Sequence, residues 1–356
     1  MTVESTPETG TRIGDLDALR GLAALAVVLF HYTTRYDQLY GHVGRPWLEF
    51  PWGHFGVQLF FGISGFVIFM TLERTRSLSD FVVSRASRLY PAYWTAMLLT
   101  TAVVVSAGMD ELTRSPAEIL VNLTMVPDFL GSPSVDGVYW TLAVELAFYV
   151  AMAALWQLRL LRRIELVLLG WLGLKWLWTF SPSLVGVELS WLLGTLLIQE
   201  HIPFFAIGIA AYRLRSGTAD PRWAYATIAA ALLTVAACDD FAHLIVALFT
   251  ATALLLVALG RIPLLGTAPL VWLGAVSYSL YLLHQFIGFA LLSHLEAAGV
   301  GASAAIILTF AAVLALAAAV TFWVERPALR AIRGWYRARR DRAPATAGAL
   351  ASRTEG

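Results

Sequence analysis

Long apolar stretches recur along the chain and are separated by short polar segments. Ten of them approach the length of about 20 residues that crosses the hydrocarbon core of a bilayer as a helix. They lie at 16–34, 54–72, 89–108, 137–157, 164–181, 190–211, 223–238, 241–259, 269–292 and 302–324. The pattern predicts an all-α fold, a polytopic bundle of about ten transmembrane helices.

Two places interrupt this pattern. The polar run QEHIP at 199–203 falls near the centre of the stretch 190–211, which indicates a broken helix lining a cavity or a span that begins later. The stretches 223–238 and 241–259 are separated only by Asp239 and Asp240, which predicts a tight hairpin. His201 and Glu200 in the first interruption are secondary candidates for a functional role.

Composition supports a membrane protein. Of the 356 residues, 58% are apolar and 14% are charged, with a mean hydropathy of +0.69. Soluble domains are roughly 45–50% apolar and 25% charged, and the excess extends over nearly the whole chain. We therefore exclude secreted, cytosolic and disordered proteins. The expected organisation is a disordered lead at 1–14, a membrane domain at 15–327 and a basic cytoplasmic tail at 328–356.

Arginines are concentrated in alternate connections between the predicted spans. They are Arg74, Arg76, Arg85, Arg88, Arg159, Arg162, Arg163, Arg213, Arg215, Arg222 and Arg261. The tail after residue 325 carries eight more, so the positive-inside rule predicts that both termini are cytoplasmic. The net charge of +1 provides no basic field for nucleic acid. Lys175, inside a predicted span, has no explanation at this level.

The first span contains the most informative ionisable pair, Arg20 and His31. Eleven residues turn a helix 20 degrees past three full turns, since each residue adds about 100 degrees, and they rise roughly 16 Å. Both side chains therefore lie on one face. Ionisable groups inside a span normally face the bundle interior and mark substrate paths or proton relays. Alternatively, Arg20 snorkels to the headgroups and His31 lies at the outer interface.

Six short segments occur in an order that resembles the acyltransferase-3 family of integral-membrane O-acyltransferases. They are LDALRG at 16–21, with ten residues between Arg20 and His31, FFGISGF at 60–66, RASRLYP at 85–91, YWTLAVELAFY at 139–149, SYSLYLLH at 277–284 and ERP at 325–327. Thr141 stands where serine is more usual in the family, and this change keeps the hydroxyl. The ordered set covers nearly the whole chain.

The resemblance implies transfer of an acyl group, expected to be acetyl, from cytoplasmic acyl-CoA as cosubstrate. The acceptor would be a hydroxyl on a polysaccharide, a glycolipid or a secondary metabolite. The residues allow a compatible physical account, because the paired guanidiniums of Arg85 and Arg88 suit the phosphates of CoA. Arg20 is expected to guide the pantetheine arm or to steady the thioester near His31.

His31 is the predicted general base, since imidazole exchanges protons near neutral pH and the acceptor hydroxyl must lose its proton as it attacks. A covalent acyl-histidine or acyl-Ser64 intermediate is an alternative. Ser64 otherwise packs at a helix contact or bonds to a carbonyl. Glu145, in mid-span, either orients His31 or an acceptor hydroxyl, or makes a structural hydrogen bond to another span.

Three further residues are candidates for substrate binding. His284, near the middle of the stretch 269–292, is either functional or a satisfied core histidine. Tyr139 and Trp140 offer rings on which a sugar can stack, although an aromatic belt is the ordinary explanation for such residues. The histidines lack a local ligand spacing and the single cysteine, Cys238, excludes a thiolate cluster, so we expect no metal and no permanently bound cofactor.

Two other classes of function compete with the enzyme. A proton-coupled secondary transporter of a small polar solute would use the same buried arginine, histidine and glutamate. A structural or assembly protein would leave the ionisable groups at depth unexplained. In each case the expected location is a bacterial inner or plasma membrane, with several passes through the bilayer.

Overall fold

The computed structural model describes residues 14–186, 191–218, 220–262 and 266–342, and in these ranges the chain is helical and contains no strand. The helices are α1 Gly14–Phe30, α2 Tyr36–Tyr40, α3 Gly56–Glu73, α4 Leu78–Ser106, α5 Pro116–Asn122, α6 Trp140–Gln157, α7 Ile164–Val185, α8 Trp191–Leu196, α9 Ile202–Ser216, α10 Pro221–Cys238, α11 Phe241–Ala258, α12 Ala268–Leu283, α13 Gln285–Ala297, α14 Ala302–Val320 and α15 Arg326–Arg342.

The polytopic helical bundle predicted from the sequence is confirmed. In the described part of the chain, eight helical segments are long and apolar enough to cross a membrane, and the bent pair α12 and α13 makes a ninth if it is counted as one span. The stretch 190–211 is the one that differs most from a simple span. It forms α8 and the 15-residue α9, separated by turns over the polar run at 199–201.

Helix α9 lies at the centre of the bundle, where every residue from 202 to 213 is buried. It packs against α3, α7, α10 and α11. A helix that is apolar all round is typical of such a central position. The predicted hairpin is also present, since α10 ends at Cys238 and α11 begins at Phe241. The Asp240 carboxylate caps α11 by accepting a hydrogen bond from the backbone N–H of His243 at 2.8 Å.

The stretch 269–292 is not the single straight span that the sequence suggests. α12 and α13 meet at His284 and are bent by 74°. Side chains from other elements bind the backbone groups at this break. The Tyr32 hydroxyl donates to the carbonyl of His284 at 2.8 Å, and the Asp136 carboxylate accepts from the N–H of Phe286 at 3.1 Å. These partners stabilise the bend, although the local sequence contains neither Pro nor Gly at that point.

Helix α4 begins about eleven residues earlier than the apolar pattern indicates. The Ser77 side chain caps its first turn by accepting from the N–H of Asp80 at 3.2 Å. Arg85 and Arg88, expected in a loop, therefore lie on a helix one turn apart. Their positions relative to the bundle are consequently fixed.

The basic segment after residue 325 is also part of the bundle. α14 continues through a π-helical turn at 321–325 into α15, which crosses the predicted boundary at 327/328. α15 packs on α4 along one side, where Tyr336 donates to Ser79 at 2.9 Å, and most of its residues are exposed. The predicted disordered lead at 1–14 lies outside the described ranges except for Gly14, the first residue of α1.

Two close helix crossings hold the bundle together. A β-carbon on Gly21 of α1 would lie 2.7 Å from the backbone nitrogen of Gly274 on α12. A β-carbon on Gly208 of α9 would collide with the carbonyl oxygen of Gly62 on α3. Small residues that let backbones touch are a common basis of helix association in membranes. The crossings set the position of α12 beside α1 and of α9 beside α3.

A buried ion pair explains Lys175 on α7. Its ammonium group lies 2.8 Å from the Asp239 carboxylate at the turn between α10 and α11. A second buried group joins Arg213 on α9 to Glu165 on α7 at 2.7 Å. Charges at this depth are retained when they are paired and hydrogen bonded.

Candidate functional site

A cavity of about 360 Å³ lies between α1, α3, α4, α6, α12 and α15. Five of the residues that line it are arginines, and we call the part of the wall that they form the arginine end. They are Arg20, Arg85, Arg88, Arg326 and Arg333. Phe60, Thr141 and Tyr281 also line the cavity, and they lie near the start of α3, the start of α6 and the end of α12.

Arg88 is held by a carboxylate inside the bundle. Its guanidinium donates to Glu325, a fully buried residue in the π-helical turn before α15. The second carboxylate oxygen of Glu325 accepts from the Ser279 hydroxyl at 3.1 Å. At least one N–H group of Arg88 therefore already has a hydrogen-bond partner within the protein. Through Glu325, Arg88 links α4 to α12 and α15.

Arg85 and Arg333 meet at Ser84. Arg85 Nη2 donates to the Ser84 hydroxyl at 3.1 Å, and Arg333 Nη2 donates to the same hydroxyl at 3.3 Å and to the Ser84 carbonyl at 3.1 Å. The Nε atom of Arg85 is buried and has no hydrogen-bond partner. Two like charges at such close range repel each other, so the pair favours an anion between them.

Arg20 links α1 to α12 at the glycine crossing. Its guanidinium donates to the Ser277 hydroxyl at 3.0 Å, to the carbonyl of Gly274 at 2.8 Å and to the Asp17 carboxylate at 2.8 Å. The side chain faces the bundle rather than the headgroups. Of the two interpretations of Arg20, these contacts agree with the one in which the side chain faces the bundle interior.

Ser64, Glu145 and Tyr149 form a polar group on the cavity wall. One carboxylate oxygen of Glu145 accepts from the Ser64 hydroxyl at 2.8 Å and from the Tyr149 hydroxyl at 2.6 Å. Of the two interpretations of Glu145, the structure shows the hydrogen bond to another span, α3. Its contacts do not orient His31, because the carboxylate is directed to Ser64 and Tyr149.

His31 is held instead by α1 itself and by His284. Its Nδ1 lies 2.8 Å from the carbonyl oxygen of Val27 and 3.2 Å from Nε2 of His284. Nδ1 of His284 lies 2.7 Å from the carbonyl oxygen of Tyr281. Carbonyls only accept, so in the neutral rings both Nδ1 atoms carry hydrogen and the lone pair of His31 lies on Nε2.

The histidine pair lies one residue layer beyond the cavity. Neither His31 nor His284 contributes to the described wall, but the Tyr281 ring does, and its centroid is 5.6 Å from that of His284. Arg20 and His31 both contact α12 or the break that follows it, so their predicted placement on one face of α1 is confirmed. Arg20 contacts the middle of α12, at Gly274 and Ser277, and His31 contacts His284 at its C-terminal end.

Tyr139 and Trp140 have different surroundings although they are adjacent in sequence. Tyr139 is buried against the Tyr93 ring, and its hydroxyl donates to the carbonyl of Leu282 at 3.3 Å. It braces the end of α12 and lines neither of the cavities described here. Trp140 is partly exposed and contacts the His201 ring at a centroid distance of 5.6 Å.

Trp140 and His201 line a second and larger cavity of about 750 Å³, which we call the Gln199 cavity. It lies between the start of α6, the later part of α7, α8 and the segment 128–132. A neighbouring space of about 340 Å³ shares Trp178, Gln199, Glu200 and His201 with it. Phe61 lines the first cavity and contacts His201, which lines the second, so these two side chains lie between the cavities.

Sequence reasoning missed four residues of this region. Arg333 was assigned to the tail, although its spacing of seven from Arg326 and from Arg340 puts all three on one face of a helix. Tyr281 lay within the segment SYSLYLLH and Gln199 began the polar run at 199–203, but neither residue was singled out, and Asp136 carried no distinctive local signal. Within the described ranges, no group of three or more His, Cys, Asp or Glu side chains is placed to hold a metal ion.

Several known proteins are similar to this chain. The exopolysaccharide production protein ExoZ of Rhizobium meliloti is 29% identical over 305 residues, which cover 79% of this chain and 91% of ExoZ. The acyltransferase MdmB of Streptomyces mycarofaciens is 26% identical over 313 residues, 78% of this chain and 79% of MdmB.

A third relative has a different overall length. The putative peptidoglycan O-acetyltransferase YrhL of Bacillus subtilis is 28% identical over 159 residues, which are 39% of this chain and 23% of YrhL. No solved structure matches the chain.

The family assignment rests on a match over nearly the whole chain. Residues 13–325 match the acyltransferase-3 family, described as an acyltransferase domain. This range includes five of the six sequence segments, Glu325 of the sixth, and the helices that line the first cavity up to the start of α15. The match to an acyltransferase family favours the enzyme over the transporter and the assembly protein. The chain belongs to the acyltransferase-3 family and is a multi-pass membrane O-acyltransferase.

Proposed function

We propose that the chain moves an acetyl group from acetyl-CoA to a hydroxyl of a carbohydrate, with His31 as the general base. The donor enters at the arginine end, which faces the cytoplasm together with both termini of a bacterial cell membrane protein. The acceptor reaches the site from the opposite side. The observation that carries the proposal is the orientation of His31, which leaves the lone pair on Nε2.

The phosphates of CoA fit the arginine end. Arg85 and Arg333 point at one small volume, and the buried Nε of Arg85 lacks a partner that a phosphate oxygen can supply. Guanidinium groups bind phosphates through two parallel hydrogen bonds. Because Glu325 already neutralises much of Arg88, we assign the main phosphate contacts to Arg85 and Arg333 and a positioning role to Arg88.

The pantetheine arm follows the cavity along α1. From Arg20 to His31 the helix rises roughly 16 Å, so an extended arm that starts at the arginine end carries its thioester toward Tyr281. The Tyr281 ring then separates the thioester from the histidine pair. A small rotation of this ring is needed for reaction, and edge-to-face contact with Phe60 at 5.5 Å holds it in the resting position.

The transfer step balances as follows. The acceptor oxygen attacks the thioester carbon while its proton moves to Nε2 of His31, and collapse of the tetrahedral intermediate breaks the C–S bond. CoA leaves as a thiolate and takes up the proton. The positive charge that develops on His31 is stabilised through Nδ1–H by the Val27 carbonyl and by Nε2 of His284.

The test uses purified protein in nanodiscs with radiolabelled acetyl-CoA and an oligosaccharide acceptor. His31→Ala should lower the rate of O-acetylation by about 10²–10⁴-fold, the usual contribution of a general base. His294→Ala is the matched control, since His294 is exposed on α13 and bonds only its own helix. A His31→Ala protein that keeps wild-type turnover contradicts the proposal.

A covalent acyl-Ser64 route has one observation in its favour, the hydrogen bond from the Ser64 hydroxyl to Glu145. Acid quenching of the enzyme with labelled acetyl-CoA alone distinguishes the routes. Direct transfer leaves the protein unlabelled. An acyl-serine intermediate gives label that disappears in Ser64→Ala and survives in His31→Ala at long times.

A further inference from the structure

Gln199 is the most unusual polar residue outside the donor cavity. Its side chain is 1% exposed, and neither its amide oxygen nor its amide nitrogen has a hydrogen-bond partner. It lines both the Gln199 cavity and the neighbouring space. A buried amide without partners destabilises a protein, so a complete amide left open toward a cavity indicates a ligand that supplies both a donor and an acceptor.

The backbone fixes this amide in place. Ile198 has φ of +47°, a left-handed conformation that is costly for a β-branched residue. The turn is held by the Gln199 N–H, which donates to the carbonyl of Gly194 at 2.9 Å, and by the Trp171 indole, which donates to the carbonyl of Leu197 at 2.8 Å. The strained turn places Gln199 at the cavity wall instead of letting it rotate toward solvent.

The rest of the wall combines aromatic rings with two carboxylates, Asp128 and Glu200, which disfavour an anion and can accept hydrogen bonds from the hydroxyls of a neutral ring. Trp140, Trp178 and His201 present aromatic surfaces, against which the C–H face of a sugar ring buries apolar area. The hydroxyl of Ser132 is a second buried polar group without a partner. The ammonium group of Lys175 is paired with Asp239, so this cation is not available to attract an anion.

We propose that the Gln199 cavity binds a neutral sugar ring of the acceptor, with the Gln199 amide hydrogen bonded to a hydroxyl or acetamido group. The inference rests on the proposed function, because it identifies where the acceptor of that reaction is recognised. Phe61, which contacts His201 on one side and lines the donor cavity on the other, separates the recognised ring from the thioester. The ring that is acetylated is therefore a neighbour of the ring that is bound.

The test measures binding of two probes, cellotetraose and its 2-acetamido counterpart chitotetraose, by calorimetry on protein in nanodiscs. Gln199→Leu removes the amide and keeps most of the volume. Gln58→Leu is the matched control, because Gln58 on α3 is also buried with an unpartnered amide oxygen and lines neither cavity. We expect Gln199→Leu to weaken binding by about tenfold, the loss of one to two hydrogen bonds, and Gln58→Leu to leave it unchanged.

A second measurement separates recognition from folding. Leucine relieves the unpartnered amide, so the apparent melting temperature of the free Gln199→Leu protein should equal or exceed that of the wild type. Weaker sugar binding with undiminished stability supports the site. The inference is overturned if neither probe binds the wild type, if Gln199→Leu binds as tightly, or if a lipid with brominated chains quenches Trp140 and Trp178 and sugar does not displace it.

Acetyl-CoA consumption, measured in the same preparations, tests the proposed function separately from the proposed acceptor site at Gln199. If the wild type never consumes acetyl-CoA, the proposed function fails, whatever the sugar binding. If acetyl-CoA is consumed and requires His31 while Gln199→Leu has the acceptor KM of the wild type, only the acceptor site fails.

Discussion

The two cavities satisfy their buried polar groups in opposite ways. At the arginine end, charges are fixed and several are paired across helices, as Arg88 is with Glu325 and Arg20 with Asp17. In the Gln199 cavity, the characteristic group is an uncharged amide without any partner. The first arrangement suits an anionic ligand and the second a neutral one. The anionic donor and the neutral acceptor proposed above correspond to this difference.

The largest expected effect concerns the buried carboxylate of the arginine end. Glu325→Gln leaves the Arg88 guanidinium facing a neutral amide inside the bundle, and we expect a loss of about 3 kcal/mol in stability. Asp239→Asn, which breaks the Lys175 pair near the other cavity, should cost about 1 kcal/mol because Asp239 is more accessible to water. Apparent melting temperatures in one detergent measure both. If Asp239→Asn lowers the stability as much as Glu325→Gln or more, the proposed difference between the two cavities is wrong.

The second largest expected effect is on the KM for acetyl-CoA and concerns only the arginine end. Arg333→Ala should raise the KM for acetyl-CoA by about 10- to 100-fold, the loss of one charge-assisted contact, and leave the acceptor KM unchanged. Arg330→Ala is the control, since Arg330 is exposed on the same helix and contacts its own backbone. Initial rates with each substrate varied in turn provide both constants. If α15 lay on lipid, the two variants would behave alike.

The smallest effect concerns Asp136, the carboxyl that binds the broken span. Burial raises the pKa of Asp136 to about 7, although the N–H groups of Val138 and Phe286 act in the opposite direction. The folded protein therefore binds a proton more tightly than the unfolded chain, whose pKa is 3.8. Stability is highest below that value and is lost as pH rises toward about 7.

We expect the apparent melting temperature to fall by roughly 4 °C between about pH 5.5 and 8. Asp136→Asn should remove this dependence, and Asp110→Asn, at an exposed position in the same connection, should preserve it. A wild-type melting temperature that rises over this interval contradicts the assignment, because it requires a carboxyl that ionises more readily in the folded state.

The parts of the fold that follow local physics could be predicted from the sequence. The apolar stretches, the hairpin at Asp239 and Asp240 and the interruption at 199–203 all depend on residues close together in the chain. The common face of Arg20 and His31 follows from helical periodicity alone. For the same reason, the six ordered segments are sufficient to identify the family.

The parts that depend on distant partners could not be predicted. The bend at His284 is stabilised by Tyr32 and Asp136, which lie about 250 and 150 residues away. The packing of α15 on α4 depends on Ser84 and Ser87, which accept hydrogen bonds from Arg333. A search for apolar stretches ends before this basic helix begins. Gln199 was visible only as part of a polar interruption, because an unpartnered amide is a property of its surroundings.

The glycine crossing of α1 and α12 has a consequence for donor selection. Gly21 and Gly274 leave no room for side chains, so the two helices cannot slide past each other. The interval between the Arg20 and His31 contacts on α12 is therefore constant. Under the proposed function, thioesters on carriers shorter than pantetheine should not span this interval, and we expect the enzyme to discriminate among donors by the length of the carrier rather than by the chemistry of the acyl group.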